Sequence, residues 1–112
     1  STKCSVASVK MLRLVFHPLV EADVEDSAAW YAREQPGLDD SFLAEVRERF
    51  DQLPVDAFLY AARFADIRRV NLPVFKHGIF YFIADAAVVV LAVLHGHRDS
   101  EVELQRRRKR YG

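Results

Sequence analysis

The sequence predicts an α+β domain in which an antiparallel helical hairpin covers one face of a small, largely antiparallel sheet. Residues 11–16 alternate in polarity, residues 18–53 hold two helical stretches around a Pro-Gly turn, and residues 67–95 hold three β-rich runs. We therefore expect an N-terminal strand, two helices, a three-stranded antiparallel meander completing one small sheet, and a short C-terminal helix. The chain has 112 residues, 51% of them hydrophobic, so residues 11–112 should form one domain.

The first strand is predicted at residues 11–16, where Leu12, Leu14 and Phe16 fall on one side. Residues 1–10 are interpreted as a flexible N-terminal arm or as a remnant of cloning. Pro18 suits the first position of a helix that should run to about residue 35. The apolar stripe of this helix comprises Val20, Val24, Ser27 or Ala28, and Tyr31, with Trp30 beside it.

A second helix should follow the break at Pro36-Gly37. Its buried stripe is predicted to be Phe42, Val46, Phe50 and Leu53. Residues 54–66 show no clear period, and we interpret them as a packed connecting loop. Four side chains of this loop should need burial: Phe58, Leu59, Tyr60 and Phe64.

Three strands and a short helix are predicted in the second half of the chain. On the strand at residues 67–72, Arg68 should share the core face with Val70, whereas Arg69 and Asn71 project from the other face. Residues 78–84 and 87–95 should form a hairpin around a tight Asp85-Ala86 turn. The second of these runs is apolar without alternation, which indicates a strand buried on both faces. Ser100 and Glu103 have the spacing of a capping box, so a helix should begin there.

Composition limits the function classes. Sixteen basic and sixteen acidic residues give zero formal charge, which argues against a whole-molecule cation built to coat nucleic acid or lipid. The charge is uneven, at −5 over residues 1–66 and +5 over residues 67–112. Cys4 is the only cysteine, so an intramolecular disulfide is excluded and a reducing cytoplasm is the expected location. The apolar run 78–94 is too short for a membrane-spanning helix.

The predicted order and several motifs together resemble the RelE/ParE toxin superfamily over about residues 11–104. The motifs are Trp30-Tyr31, Ile67-Arg68-Arg69-Val70, Ile79-Phe80-Tyr81 and Val93-Leu94-His95-Gly96-His97-Arg98-Asp99. The terminal His-Gly-x-Arg-Asp is the most specific of them. The resemblance implies the toxin of a bacterial type II toxin–antitoxin system. A cognate antitoxin would neutralise it by wrapping it, and no cofactor is expected.

The RelE-like branch of this superfamily cleaves messenger RNA on the ribosome, which requires several cations and a proton-transfer group around a phosphate. By similarity, only Arg69 and Arg98 match the basic positions of that branch. Asn71 and Gly78 carry no charge where it has cations, and Glu103 stands near the position of its aromatic residue. If the chain is a nuclease, the expected catalytic residues are Arg69, Arg98, His95 and His97, and His77 is a further candidate base.

The ParE-like branch, which this sequence resembles more closely, poisons DNA gyrase by binding and performs no chemistry of its own. We therefore expect a gyrase inhibitor with a ParD-like antitoxin, in contact with operator DNA only through that antitoxin. Two alternatives stay open, the mRNA endonuclease and a non-toxic member that acts as an antitoxin-bound co-regulator. The expected partner-binding residues are Arg69, Tyr81, His97, Arg98, Arg106, Arg107 and Arg108.

Several of these residues also have a structural interpretation. Tyr81 points away from Phe80 and Phe82, so it reaches either the open face or a buried partner for its hydroxyl. The basic run 106–110, in the tail 106–112, is either a nucleic-acid or partner contact or a solvated, disordered tail. His95 and His97 have the spacing of two zinc ligands, but the strand ends between them and no metal is expected. Trp30 is expected in the core, with an exposed partner anchor as the alternative.

Overall fold

A computed structural model describes residues 12–95 and 100–112 of the chain. Five strands form one sheet in these ranges: β1 Arg13–Phe16, β2 Ala62–Phe64, β3 Ile67–Asn71, β4 His77–Ala84 and β5 Ala87–His95. The helices are α1 Val20–Glu34, α2 Leu38–Asp56 and α3 Ser100–Arg108, with 3-10 turns at Ala57–Leu59 and Lys109–Tyr111. This α+β order confirms the predicted fold class.

The sheet has the order β1-β5-β4-β3-β2, in which β1 runs parallel to β5 and every other pair is antiparallel. β5 is thus an inner strand, and its residues from Val90 to Val93 have no exposed surface. One apolar cluster lies on each face of the sheet. This arrangement confirms the prediction that the unalternating apolar run is buried on both faces.

The helical hairpin packs on one face of the sheet, and its turn depends on a glycine. Gly37 has a φ of 89°, in the left-handed region that glycine enters without steric strain. Of the predicted stripe of α2, Phe42, Val46 and Leu53 are buried, and Phe50 is partly buried against the core. On α1 the buried residues are Val20, Ala28 and Tyr31, as the helical spacing indicated.

Residues 54–66 differ from the predicted loop. Helix α2 continues through Pro54 to Asp56, and after a 3-10 turn the chain forms the short edge strand β2. The Pro54 carbonyl accepts a hydrogen bond from the Leu12 N–H, at 3.0 Å. Phe58 and Leu59, which were expected to need burial, lie in the 3-10 turn and are 64% and 79% exposed.

The opposite face of the sheet is partly covered by α3. Leu104 of this helix is fully buried and packs with Ile67, Phe80 and Leu91. The β4–β5 turn is tight, as predicted, with positive φ at Asp85 and Ala86. Among the residues described, no helix is both long and apolar enough to cross a bilayer.

Candidate functional site

The C-terminal basic run belongs to the folded domain. Arg107 is only 7% exposed and reaches back across the sheet to α1. Its Nη1 and Nη2 donate to the two carboxylate oxygens of Asp23 at 2.7 and 3.2 Å, and its Nε donates to Glu103 at 2.7 Å. Nη1 also donates to the Leu91 carbonyl at 3.0 Å.

The Asp23 carboxylate is shared between two elements. Beyond the short strand β1, the β5 amide of Val93 lacks a strand partner on that side, and it donates to Asp23 Oδ2 at 3.1 Å. Burial alone would lower the pKa of Arg107, but hydrogen bonds to Asp23 and Glu103 outweigh it, so the pKa is raised. Asp23 therefore ties α1, β5 and α3 together.

The two neighbouring arginines are also paired. Arg108 donates to both carboxylate oxygens of Asp66 at 2.9 and 3.2 Å, and its guanidinium lies 3.8 Å from the centre of the Phe82 ring. Arg106 is 71% exposed and donates to Glu103. The alternative of a disordered tail is therefore wrong, although Arg106, Lys109 and Arg110 are exposed to solvent. Arg107 is closed to a partner in this structure.

Tyr81 does not lie on an open face. Its side chain is completely buried beneath the helical hairpin, and its hydroxyl donates to the Ala57 carbonyl at 2.6 Å. Burial raises the pKa of the hydroxyl, which stays protonated at neutral pH. The predicted partner contact at Tyr81 is wrong, because Tyr81 lies on the face of β4 that packs against the helical hairpin.

Arg69 projects from the sheet face opposite Tyr81, as predicted. Its guanidinium lies 5.1 Å from the centre of the Phe80 ring, and its Nε donates to Asn71 Oδ1 at 2.6 Å. Gly78 stands opposite Asn71 on β4, and a Cβ atom there would overlap the Arg69 side chain. The sequence interpretation noted only that Gly78 lacks charge. The absence of its side chain is what gives Arg69 its position.

Arg69 opens onto a cleft of about 570 Å³ at the edge of the sheet. We name it the arginine cleft, after its polar lining side chains Arg49, Tyr60, Arg63, Arg69 and Asn71. Arg49 donates to the Tyr60 hydroxyl at 2.7 Å and lies 3.5 Å from Asp56. Sequence reasoning missed Arg49 and Arg63, because they come from α2 and β2 in the region where it expected solvent-facing helix and loop.

A second polar cleft, of about 400 Å³, lies between α1 and the end of the β4–β5 hairpin. His77 is buried there, with Nδ1 hydrogen-bonded to the Tyr31 hydroxyl and Nε2 to the Ser27 hydroxyl, both at 3.0 Å. Burial, with smaller contributions from His95 and Arg69, lowers the pKa of His77 to about 4. The ring is therefore neutral at pH 7, and both of its nitrogens are engaged.

His95 lines the cleft that holds His77, and Trp30 lines an adjoining pocket that shares both histidines. The His95 and His77 ring centres are 5.6 Å apart. Trp30 is 49% exposed, which corrects the expectation of a core residue, and it packs edge-on against Tyr31. Within the described ranges, no three His, Cys, Asp or Glu side chains could hold a metal ion together.

His97 and Arg98 lie outside the described residues, together with Gly96 and Asp99. Their expected partner contacts, and a nuclease role for them, stay predictions. Of the remaining predicted site residues, Arg69 lines the arginine cleft and His95 lines the other polar cleft. The structure therefore does not bring these two described residues to one cleft.

The helical hairpin, the meander and the C-terminal helix define the chain as an α+β protein with helices on both faces of one five-stranded sheet. Residues 14–100 match the family model described as the ParE toxin of the type II toxin–antitoxin system parDE. This match spans most of the chain, which therefore belongs to the ParE toxin family.

A solved structure, described as the chromosomal ParDE TA system from P. aeruginosa, contains a similar chain. The TM-score is 0.68 at 15% sequence identity, and the alignment covers 78% of this chain and 98% of the other. At this identity the likeness shows the fold. Among curated proteins, none matches the sequence.

Proposed function

We propose that this ParE-family toxin inhibits DNA gyrase by binding it, performs no chemistry of its own, and is neutralised by a cognate ParD-like antitoxin in the cytoplasm. One observation carries the proposal beyond the family. The guanidinium groups of the arginine cleft and the described imidazoles of His77 and His95 line different clefts.

That separation bears on catalysis. Cleavage of RNA at a 2′-hydroxyl needs cations and a proton-transfer group around the same phosphate. His77 is neutral and bonded at both ring nitrogens, and Arg107 is held in a buried ion pair. These groups stabilise the fold, which favours a toxin that acts by contact.

The antitoxin part of the proposal rests on the family and on the similar chain, which comes from a ParDE system. A chain with zero formal charge has little net attraction for DNA. We therefore propose that contact with operator DNA occurs only through the antitoxin.

A gyrase supercoiling assay and a ribosome-dependent mRNA cleavage assay, run on one preparation, test the proposal. We expect inhibition of supercoiling, or a trapped cleavage complex, with messenger RNA left intact. Robust mRNA cleavage with normal supercoiling would overturn it. Expression without an antitoxin completes the test, since unimpaired growth would indicate the non-toxic co-regulator.

The mRNA endonuclease is a second candidate because of Tyr60. Its hydroxyl lies in the arginine cleft and accepts a hydrogen bond from Arg49 at 2.7 Å, so a hydroxyl and several guanidinium groups line one cleft. A Tyr60→Phe variant separates the two candidates. A nuclease would lose cleavage, whereas a gyrase inhibitor that acts by contact would keep its inhibition.

A further inference from the structure

We propose that two copies of this chain associate through the outer edge of β1, with the two β1 strands antiparallel across a two-fold axis at Val15. The proposal does not depend on the proposed function. It rests on three features of this edge: two residues with free backbone groups, closed positions on either side of them, and the apolar and charged side chains nearby.

The outer edge of β1 has free backbone groups at Leu14 and Phe16. The His17 N–H donates to the Val90 carbonyl of β5 at 2.8 Å. Because backbone groups alternate in direction along a strand, the N–H and C=O of Leu14 and Phe16 point away from β5. β1 is the last strand of the sheet on this side, and no described residue hydrogen-bonds to these groups.

The free edge is closed at both ends. The Leu12 N–H, which is the next one pointing outward, already donates to the Pro54 carbonyl at 3.0 Å. Pro18 is the next outward position at the other end, and proline has no N–H. The edge can therefore pair with a strand over residues 14–16 only. A second copy offers a free edge of the same length, whereas a longer strand from another protein would find no further donors.

One register satisfies every free donor of such a pair. With Val15 of the two copies opposite each other, Leu14 of each copy lies opposite Phe16 of the other and exchanges two hydrogen bonds with it. A shift that places Leu14 opposite itself pairs Phe16 with Leu12, whose N–H is already used. The opposite shift pairs Leu14 with Pro18, which has no N–H. The edge is thus self-complementary, as a two-fold interface requires.

Exposed apolar side chains flank the edge. Phe16 is 44% exposed and Leu19 is 41% exposed, although the Phe16 ring also packs edge-on against Phe50 of α2. In the proposed register each Phe16 lies beside Leu14 of the other copy. Such aromatic–aliphatic cross-strand pairs stabilise antiparallel strands, and an open apolar edge favours this pairing.

The charges at the strand ends favour the antiparallel orientation. It brings Arg13 of each copy to His17 of the other, which lines a groove of about 470 Å³ together with Glu21 and Glu25. Burial and then nearby arginines lower the pKa of His17, so its ring is neutral at pH 7. Arg13 therefore approaches two exposed carboxylates and one nearby exposed cation, Arg110. A parallel pairing in register would instead place Arg13 beside Arg13.

The proposed dimer leaves the arginine cleft open. This cleft is lined by residues of β2 and β3, and β2 is at the opposite edge of the sheet from β1. Two sheets joined at β1 therefore carry one arginine cleft near each outer end, so a single particle presents two of them.

A disulfide across the axis tests the register. Cys4→Ser/Val15→Cys places one thiol of each copy on the axis, where the Cα atoms of a non-hydrogen-bonded pair are about 4.5 Å apart, within the range of disulfides. We expect oxidation of this variant to give a covalent dimer. The matched control Cys4→Ser/Ala62→Cys carries its thiol on the opposite edge strand and should stay monomeric on a non-reducing gel. Equal cross-linking of the two variants, or none at Val15→Cys, would overturn the proposal.

Light scattering on the unaltered chain measures the association itself. We expect twice the mass of one chain at high concentration and dissociation on dilution. Phe16→Lys should weaken the dimer at least about tenfold, because a charge at an open edge opposes strand pairing. Leu59→Lys changes a more exposed apolar residue in the 3-10 turn before β2 and should leave the dimer unchanged. The mass of one chain at every concentration, or equal weakening by both variants, would contradict the proposal.

Hydrogen exchange followed by NMR identifies what covers the edge, and urea midpoints near that of the unaltered chain show that each variant is folded. The Leu14 and Phe16 amides should be protected at high concentration and exchange faster on dilution. Protection that does not change on dilution would assign the edge to a segment of the same chain, and no protection at any concentration would leave the edge open. Either result rules out the β1 dimer.

Discussion

Two groups of arginines in this molecule differ in what surrounds them. Arg106, Arg107 and Arg108 are consecutive, and each contacts a carboxylate. Arg63 and Arg69 are separated in sequence, and neither has a carboxylate within 4 Å among the described residues. The conspicuous run stabilises the fold, whereas the scattered arginines form the open cleft. Charge density along a sequence therefore does not indicate which cations are available to a partner.

The largest expected effect on stability comes from replacing Arg107, the buried arginine of the run 106–108. Arg107→Met leaves Asp23 buried without its cation and should lower the free energy of unfolding by about 3–5 kcal/mol. Urea denaturation followed by circular dichroism measures it. Arg107→Met/Asp23→Asn should recover part of the loss, since the amide still accepts from the Val93 N–H. A loss below about 1 kcal/mol for Arg107→Met would contradict the conclusion that the C-terminal run stabilises the fold.

His77 is a buried titratable group that, unlike Arg107, has no carboxylate partner, so we expect it to make stability depend on pH. The pKa of the His77 imidazole is near 6.5 in the unfolded chain and about 4 in the folded chain. As the pH falls from 6.5 to 4, the unfolded state therefore gains protons first, and stability should fall by up to about 3 kcal/mol. His17 has a lowered pKa and acts in the same direction.

Urea midpoints at pH 7.0 and 5.0 check the His77 prediction against His77→Gln, in which this part of the pH dependence should disappear. Asp66 and Glu103 have lowered pKa values, so their contributions to stability are lost only at lower pH. An equal slope in both proteins between pH 7 and 5 would show that His77 does not carry the effect.

The partly exposed member of the run should matter less than Arg107. Arg108→Gln removes the contact with Asp66, which is 53% exposed, and the stacking on Phe82, so we expect a loss of about 1 kcal/mol. Arg106→Gln should change stability by less than about 0.5 kcal/mol, because its side chain lies mostly in solvent. A larger loss for Arg106 than for Arg108 would reverse the order that burial predicts.

The smallest effect on stability is expected at the cleft. Gly78→Ala should displace the flexible end of Arg69 while changing the free energy of unfolding by about 1 kcal/mol or less, since Gly78 has no positive φ and the three atoms nearest the new methyl all belong to that side chain. The NMR resonances of the Arg69 side chain should move. Unchanged resonances would show that Gly78 does not position Arg69.

Much of the fold could be predicted because its signals are local. Periodicity located both helices, the hairpin turn and the inner strand β5. The strand β2 was missed because three residues, Ala62–Phe64, are too few to show a period. The parallel pairing of β1 with β5 depends on contacts between distant residues, which no short window of sequence contains.

The site was less predictable than the fold for the same reason. Arg69 could be placed by strand alternation, but Arg107 could not, since its partner Asp23 lies 84 residues away. Tyr81 was misplaced because a strand pattern with apolar residues on both sides does not tell which face the helices cover. The glycine opposite Asn71 was a usable signal for the position of Arg69.

The pairing of β1 with β5 has a consequence for biosynthesis. The sheet gains β5, the strand that joins β1 to β4, only after residue 95 has left the ribosome, and until then β1 has no neighbour to dock against. A nascent chain interrupted earlier therefore lacks the strand that connects β1 to the rest of the sheet. Truncation before β5 should therefore prevent β1 from joining the sheet, so such a product should not reach the native fold.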